Sequence, residues 1–239
     1  METTNPLLKR DIEFSAMEAS GSMTLQGVIN KTGLLLLLCM AAAFFSWTHP
    51  DLQGILLVVG IIGGLIACLA GTFVPKISPV AAPAYAVLEG LALGAVSLIF
   101  EQHYPGIVGN AMLLTFSVLG LMLFLYSFRI IRVTQRLMMG IMMATGAVAV
   151  VYVIDMVMGM FGHHITSLYS SGALGIGISL VIVGIAAFNF LIDFAVIESN
   201  VQQGSPKYME WYCGMALLVT LVWLYLEILR LLSKLQRRD

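Results

Sequence analysis

Seven apolar runs, at 32–47, 52–73, 79–100, 107–128, 137–161, 172–197 and 211–232, set the strongest limit on what this chain can become. About 20 such residues cross the ~30 Å of a bilayer's hydrocarbon as a helix, and the first run is short of that length. Lipid offers the backbone no hydrogen-bond partners, so each run must be helical. The joints are brief and rich in turn residues: "THPD", "VPKISP", "EQHYPG". No segment outside the runs is long enough to fold alone. Only 10% of the residues are charged and 59% are hydrophobic, against about 25% charged in a soluble domain. Such a chain cannot cover a water-facing surface. The expected class is all-α: a polytopic membrane protein with seven transmembrane helices, its first partner the lipid bilayer.

Several functions are excluded by what the chain lacks. Net charge is −1 with no basic tract, so nucleic acid is not a partner. Cys39, Cys68 and Cys213 are far apart, which supports neither a disulfide framework nor a metal site. There is no Walker loop, HExxH or nucleophile–base set, so the chain is not expected to be an enzyme or to need a cofactor. "GALGIG" at 172–177 lacks the dinucleotide spacing and follows no strand. Close helix packing explains it better.

The chain divides into a polar, flexible segment at 1–31, a seven-helix domain at 32–235 and a basic tail end at 236–239. "MTLQGVINK" is expected to lie on the membrane surface. Lys31 followed by "LLLLLCMAAAFF" also fits a signal peptide, but six later spans favour a retained first helix. Lys9, Arg10, Lys31, Lys76, Arg129, Arg132, Arg136 and Lys207 fall on one side of the alternating loops, and the opposite loops carry no Lys or Arg. The positive-inside rule makes the N-terminus cytoplasmic. Location in the cell membrane follows, the inner membrane in a Gram-negative cell. Arg230, Lys234, Arg237 and Arg238 then fall on the wrong side, a conflict the sequence leaves open.

Gly60 with Gly64, and Gly90 with Gly94, have the GxxxG spacing that lets helices approach. The methionines of "LMMGIMM" at 137–143 read as adaptable packing rather than a metal box.

Four carboxylates fall inside the runs, where ionisable groups by default mark a pathway, a relay or a pairing site. Glu89 is about 15 Å into its span, near the midplane. It is either a buried, protonated acid or a station on a path. Asp155 lies near the outer end of span 5, lining a pathway or simply reaching the interface. Asp193, in "FNFLIDFAVIES", has no Lys or Arg within ten residues. It sits about 31 Å from the outer start of its span, at the cytoplasmic mouth. Asn189 shares its helical face one turn earlier, and the two oxygens suit a hard cation. Glu227 has Arg230 and Lys234 on its own face, so intrahelical ion pairing competes with any role in transport. His163 and His164 read as an exposed loop pair.

Four stretches together resemble one family: "LEGLALGAVSLIFEQHYPGIV", "LMMGIMMATG" after an arginine-bearing loop, the span ending "FLIDFAVIES", and "GSPKYMEWYCGMALLVTLVWLYLEILRLL". From about residue 28 to 235 the chain resembles the Bax inhibitor-1 (transmembrane Bax-inhibitor-motif) family, in its bacterial branch. The resemblance implies six helices surrounding a central C-terminal one. It also implies a pH-sensitive calcium leak gated by an aspartate pair between spans 6 and 7. Some bacterial members are instead associated with restraining a membrane-bound AAA protease.

Asp193 matches the first aspartate of the family pair. "LYLE" nominates Glu227 as the second, yet counting from Tyr208 places the expected acid near 218–220. Either Glu227 serves through a shifted geometry, or another group partners Asp193, or the calcium activity is absent. The function expected is a proton-gated cation leak, calcium foremost, with Asp193 and Glu227 as gate and Glu89, Asn189 and Asp155 along the path. The alternative is a non-transporting regulator that docks a membrane-bound AAA protease or another membrane partner.

Overall fold

A computed structural model describes residues 21–237. Seven helices in it are long and apolar enough to cross a membrane. They are α1 (Leu25–Thr48), α2 (Gln53–Phe73), α3 (Ser78–His103), α4 (Ile107–Ser127), α5 (Gln135–Met160), α6 (Ala173–Gln202) and α7 (Met209–Gln236). A single helical turn, Thr166–Tyr169, sits between α5 and α6. The starts follow local chemistry. Thr24 and Thr134 accept the Gly27 and Leu137 amides into their side-chain oxygens, capping α1 and α5. Pro50 and Pro75 open short 3-10 turns before α2 and α3. Gly106, at φ 83°, makes the left-handed turn into α4.

α1, α3, α6 and α7 are longer than their apolar runs. α1 begins at Leu25, so "MTLQGVINK" is mostly the first turns of the spanning helix, with Val28 buried. Residues 1–20, including Lys9 and Arg10, and 238–239 lie outside the described residues. α6 runs on to Gln202, past the end of its apolar run.

Small residues bring α1, α2 and α3 together. A Cβ added at Gly90 or Gly94 would overlap the carbonyl of Cys39 or Ala43 on α1. Gly60 meets the Leu88 carbonyl and Ala92 of α3 in the same way. Gly60, Gly90 and Gly94 therefore lie at close backbone contacts and Gly64 against the Glu89 side chain, where van der Waals packing is the main attraction between helices in lipid.

α7 carries the largest share of buried residues and packs along α1, α3, α4 and α6. It touches α2 through Met215 against Gly71, and α5 through Tyr152. α5 is the most peripheral span, with Ile141 and Asp155 its buried residues. Met139, Met142 and Met143 are exposed, so these methionines face outward instead of packing inside as the sequence suggested. The belt of exposed Phe44, Phe73, Val80 and Leu113 suits a hydrocarbon surround.

Four basic side chains gather at one end. Lys31 and Lys207 both reach Glu210, and Arg129 and Arg132 line a cavity with Leu25 and Gln202. At the other end Arg230 is bonded to Glu227, and Lys234 is buried against the first turns of α6. Two of the four charges that conflicted with the charge rule are thus engaged within the bundle and are not loop charges.

Candidate functional site

α5, α6 and α7 share a seam of polar side chains. Asp193, half-buried on α6, accepts a hydrogen bond from Thr220 Oγ1 of α7 at 2.7 Å. The same hydroxyl lies 3.2 Å from the Ala216 carbonyl, so its one proton has two possible acceptors. Among the described residues no cation pairs with Asp193. Nine residues of helix follow it, ending with Gln202, about 14 Å. Asp193 is therefore deeper than the cytoplasmic mouth where a helix ending near 197 would put it.

One turn earlier, Asn189 Nδ2 donates to Thr145 Oγ1 of α5 and to the Ile185 carbonyl, both at 2.8 Å. The expected oxygen pair is thus turned partly apart, with the Asn189 amide facing α5 while Asp193 meets α7.

Glu227 lies seven residues beyond Thr220 on one face of α7, about 10 Å along the axis. Only 2% exposed, it draws three donors to Oε1: Tyr152 Oη at 2.7 Å, Arg230 Nη1 at 3.1 Å and Trp223 Nε1 at 3.2 Å. The Arg230 guanidinium also sits 5.0 Å from the Tyr152 ring centre. Lys234 Nζ donates to Ser179 Oγ at 2.6 Å and to the Gly175 carbonyl at 3.1 Å. A cavity of about 20 Å³ lies among Tyr152, Ser179, Glu227, Arg230 and Lys234, room for about one water. Between the two polar levels the buried residues of α6 are Ile182, Ala186 and Ala187, all apolar.

Thr220, not Glu227, is the α7 side chain that meets Asp193. The nomination of Glu227 through "LYLE" is corrected here. Seven residues of helix put it a full two turns away, and its carboxylate is taken up by Tyr152, Trp223 and Arg230. Thr220 lies where the count from Tyr208 placed the missing acid. A hydroxyl stands there instead of a second carboxyl, so no two-acid coupled titration can arise at this pair.

The remaining acids differ. Asp155 is 4% exposed and holds the outer loop, accepting from the Ile165 amide at 2.8 Å and from Tyr169 Oη at 2.5 Å, with His164 Nδ1 at 3.6 Å. That hydrogen bond pushes the Tyr169 phenol above its ordinary range. Asp155 is an anchor for the loop, away from the Asp193 level. His164 is thereby tied to the loop, and no group of three candidate metal ligands occurs among the described residues. Glu89, half-buried on α3, rests against α2, where a Cβ at Gly64 would come 2.9 Å from its Oε2. No hydrogen bond reaches its carboxylate among the described residues. It is remote from the seam in sequence and belongs to the α2/α3 contact.

Sequence reasoning missed Glu210. Fully buried at the start of α7, it accepts from the Thr24 amide and hydroxyl, both at 3.0 Å, and from Lys31 Nζ at 2.7 Å, with Lys207 Nζ at 3.4 Å. A Cβ at Gly27 would overlap its carboxylate. Glu210 thus fastens the start of α1 to the start of α7.

Seven helices long and apolar enough to cross a membrane agree with the family signal in the sequence. The family model described as Bax inhibitor 1 like matches residues 5–237. The chain belongs to the Bax inhibitor 1 like family. No curated protein and no solved structure matches it. For this Bax inhibitor 1 like protein, membership establishes the membrane class over nearly the whole chain. The roles of Asp193, Thr220 and Glu227 rest on their geometry.

Proposed function

We propose that this Bax inhibitor 1 like protein is a pH-sensitive leak for cations, calcium foremost, through the seam between α5, α6 and α7. It would sit in the cell membrane, the inner membrane of a Gram-negative cell, with its basic end toward the cytoplasm. The observation that carries this reading is the state of Asp193. Glu210 and Glu227 have cations against them, and Asp155 has a phenol and an amide, whereas Asp193 has a single neutral donor. A carboxyl so placed can gain or lose a proton without leaving a partner charge bare. When ionised it attracts a hard cation, whose preferred ligands are oxygens such as those of Asp193, Thr220 and Asn189. When protonated it offers no charge, and the apolar block of Ile182 and Ala186 then opposes any ion.

Calcium flux into liposomes, measured across pH with wild type and Asp193→Asn, tests the reading. Wild-type flux should fall as the pH drops through the titration of Asp193, and the variant should be low and flat at every pH. A variant that keeps the wild-type pH profile would remove Asp193 from the gate.

A further inference from the structure

A second feature lies at the basic end, away from the Asp193–Thr220 contact. α1 packs on α3 and α7 but stands off from α4, and a cavity of about 1170 Å³ fills the gap between α1, α4, α6 and α7. Its walls are apolar, with Val28, Leu36, Leu123, Phe194 and Leu218 among them. It exceeds the ~300–1,000 Å³ usual for small-molecule pockets. Its mouth is different. After α4 ends at Ser127, Arg129 adopts a left-handed conformation (φ 53°), and the turn is closed by its amide bonding to the Tyr126 carbonyl at 2.9 Å. This turn sets Arg129 and Arg132 on the rim. Glu198 is also there, already engaged by the Tyr126 hydroxyl and by Gln202 Nε2. Two guanidiniums against one carboxylate leave the rim with a net positive charge.

We infer that this cavity binds an anionic phospholipid of the leaflet at the basic end, its acyl chain between α1 and α4 and its phosphate at Arg129 and Arg132. The match is between an amphiphile and an amphipathic site. The deep part is hydrocarbon apart from the Thr32 hydroxyl, and the rim offers the planar donor forks that pair well with phosphate oxygens. Basic pockets between spans at the headgroup level are where anionic headgroups are held. A zwitterionic lipid brings its own cation to the rim and gains less. Phe190 and Phe194, which flank Asp193, and Leu217 and Leu221, which flank Thr220, also line the cavity. A bound lipid therefore rests on the same turns that hold those two residues together.

The test uses the full chain, purified and stripped of lipid, titrated with phosphatidylglycerol or phosphatidylcholine in detergent, with bound lipid read by native mass spectrometry. Phosphatidylglycerol should bind more tightly than phosphatidylcholine. The double variant Arg129→Gln/Arg132→Gln should lose roughly 30-fold of that preference, at about one basic residue's worth of attraction per arginine, while phosphatidylcholine binding stays unchanged. Leu123→Trp, a largely exposed position on the cavity wall, keeps both arginines and should weaken both lipids alike. Equal binding of the two lipids by wild type, or a preference that survives the double variant, would overturn the proposal. So would competition by inorganic phosphate at equal concentration, which would make the rim a soluble-anion site. Stronger lipid binding after removal of residues 1–20 would overturn it too, by making that segment the natural occupant. None of these readouts measures calcium flux, so the lipid site and the leak can fail separately.

Discussion

Asp193 and Glu227 are both carboxyls in the contact between α6 and α7, and their surroundings treat them oppositely. Glu227 is closed in by a phenol, an indole N–H and a guanidinium, all on one oxygen. Asp193 has one hydroxyl, itself shared with a backbone carbonyl. The first arrangement makes Glu227 the counter-charge of Arg230, with Lys234 nearby. The second leaves the charge conditional. A buried acid is thus a poor guide to function until its partners are known. The partners separate a structural ion from a candidate switch.

The contrast breaks most visibly at Glu227. Replacing it with leucine removes the counter-charge of Arg230 and strands the Tyr152 and Trp223 donors. Breaking a buried pair costs about 3–5 kcal/mol. Arg230 is about half exposed, which reduces the expected loss to about 2–3 kcal/mol. Thermal unfolding in detergent should show a clear drop. A variant as stable as wild type would mean that Glu227 is no more fixed than Asp193.

Lys234→Met comes next. It loses the bonds to Ser179 and Gly175 but also removes a buried charge, so the net cost should be about 1 kcal/mol. Lys234 places a positive charge at the outer end of the seam that opposes a divalent cation. If the seam conducts, this variant should raise calcium flux in liposomes. An unchanged flux would place the path elsewhere.

These partners were unevenly legible in the sequence. Glu227 with Arg230 could be read because residues three apart share a helical face. Tyr152 could not, since only the fold brings α5 to α7. The spans were legible because hydropathy over 20 residues is a strong signal, but their ends were not. α1 starts at Leu25 because Thr24 caps it and Glu210 holds Thr24, a contact 186 residues apart in the chain. Glu210 itself has no periodic or motif signature. Its importance comes from being roofed by α1 at Gly27. Thr220 was reached only as a position, by counting from Tyr208, because an uncharged residue in an apolar helix does not announce a partner.

Thr220 gives a finer test of the same contrast. Thr220→Val removes the one donor to Asp193, so the pH midpoint of the leak should shift, with about 1 kcal/mol lost in stability. Thr220→Asp restores the two-carboxyl arrangement that the family resemblance implies. Two acids at that distance cannot ionise independently, and the flux profile should spread into two steps. A single unshifted step in both variants would show that Thr220 does not influence the titrating group.

The smallest expected effect on stability is that of Asp193→Asn, even though it abolishes the proposed switch. The amide oxygen can still accept the Thr220 hydroxyl, no cation is left bare, and the new N–H₂ replaces an acid already able to exist uncharged. Its change in stability should stay within about 1 kcal/mol, well below that of Glu227→Leu measured in the same detergent. The comparison between the two variants is what carries weight, because lipid, detergent and fold are held constant. Should Asp193→Asn prove as damaging as Glu227→Leu, Asp193 would be a permanent structural charge. Its carboxylate would then have a partner that the α6/α7 contact does not reveal, and no proton could come and go there at modest cost.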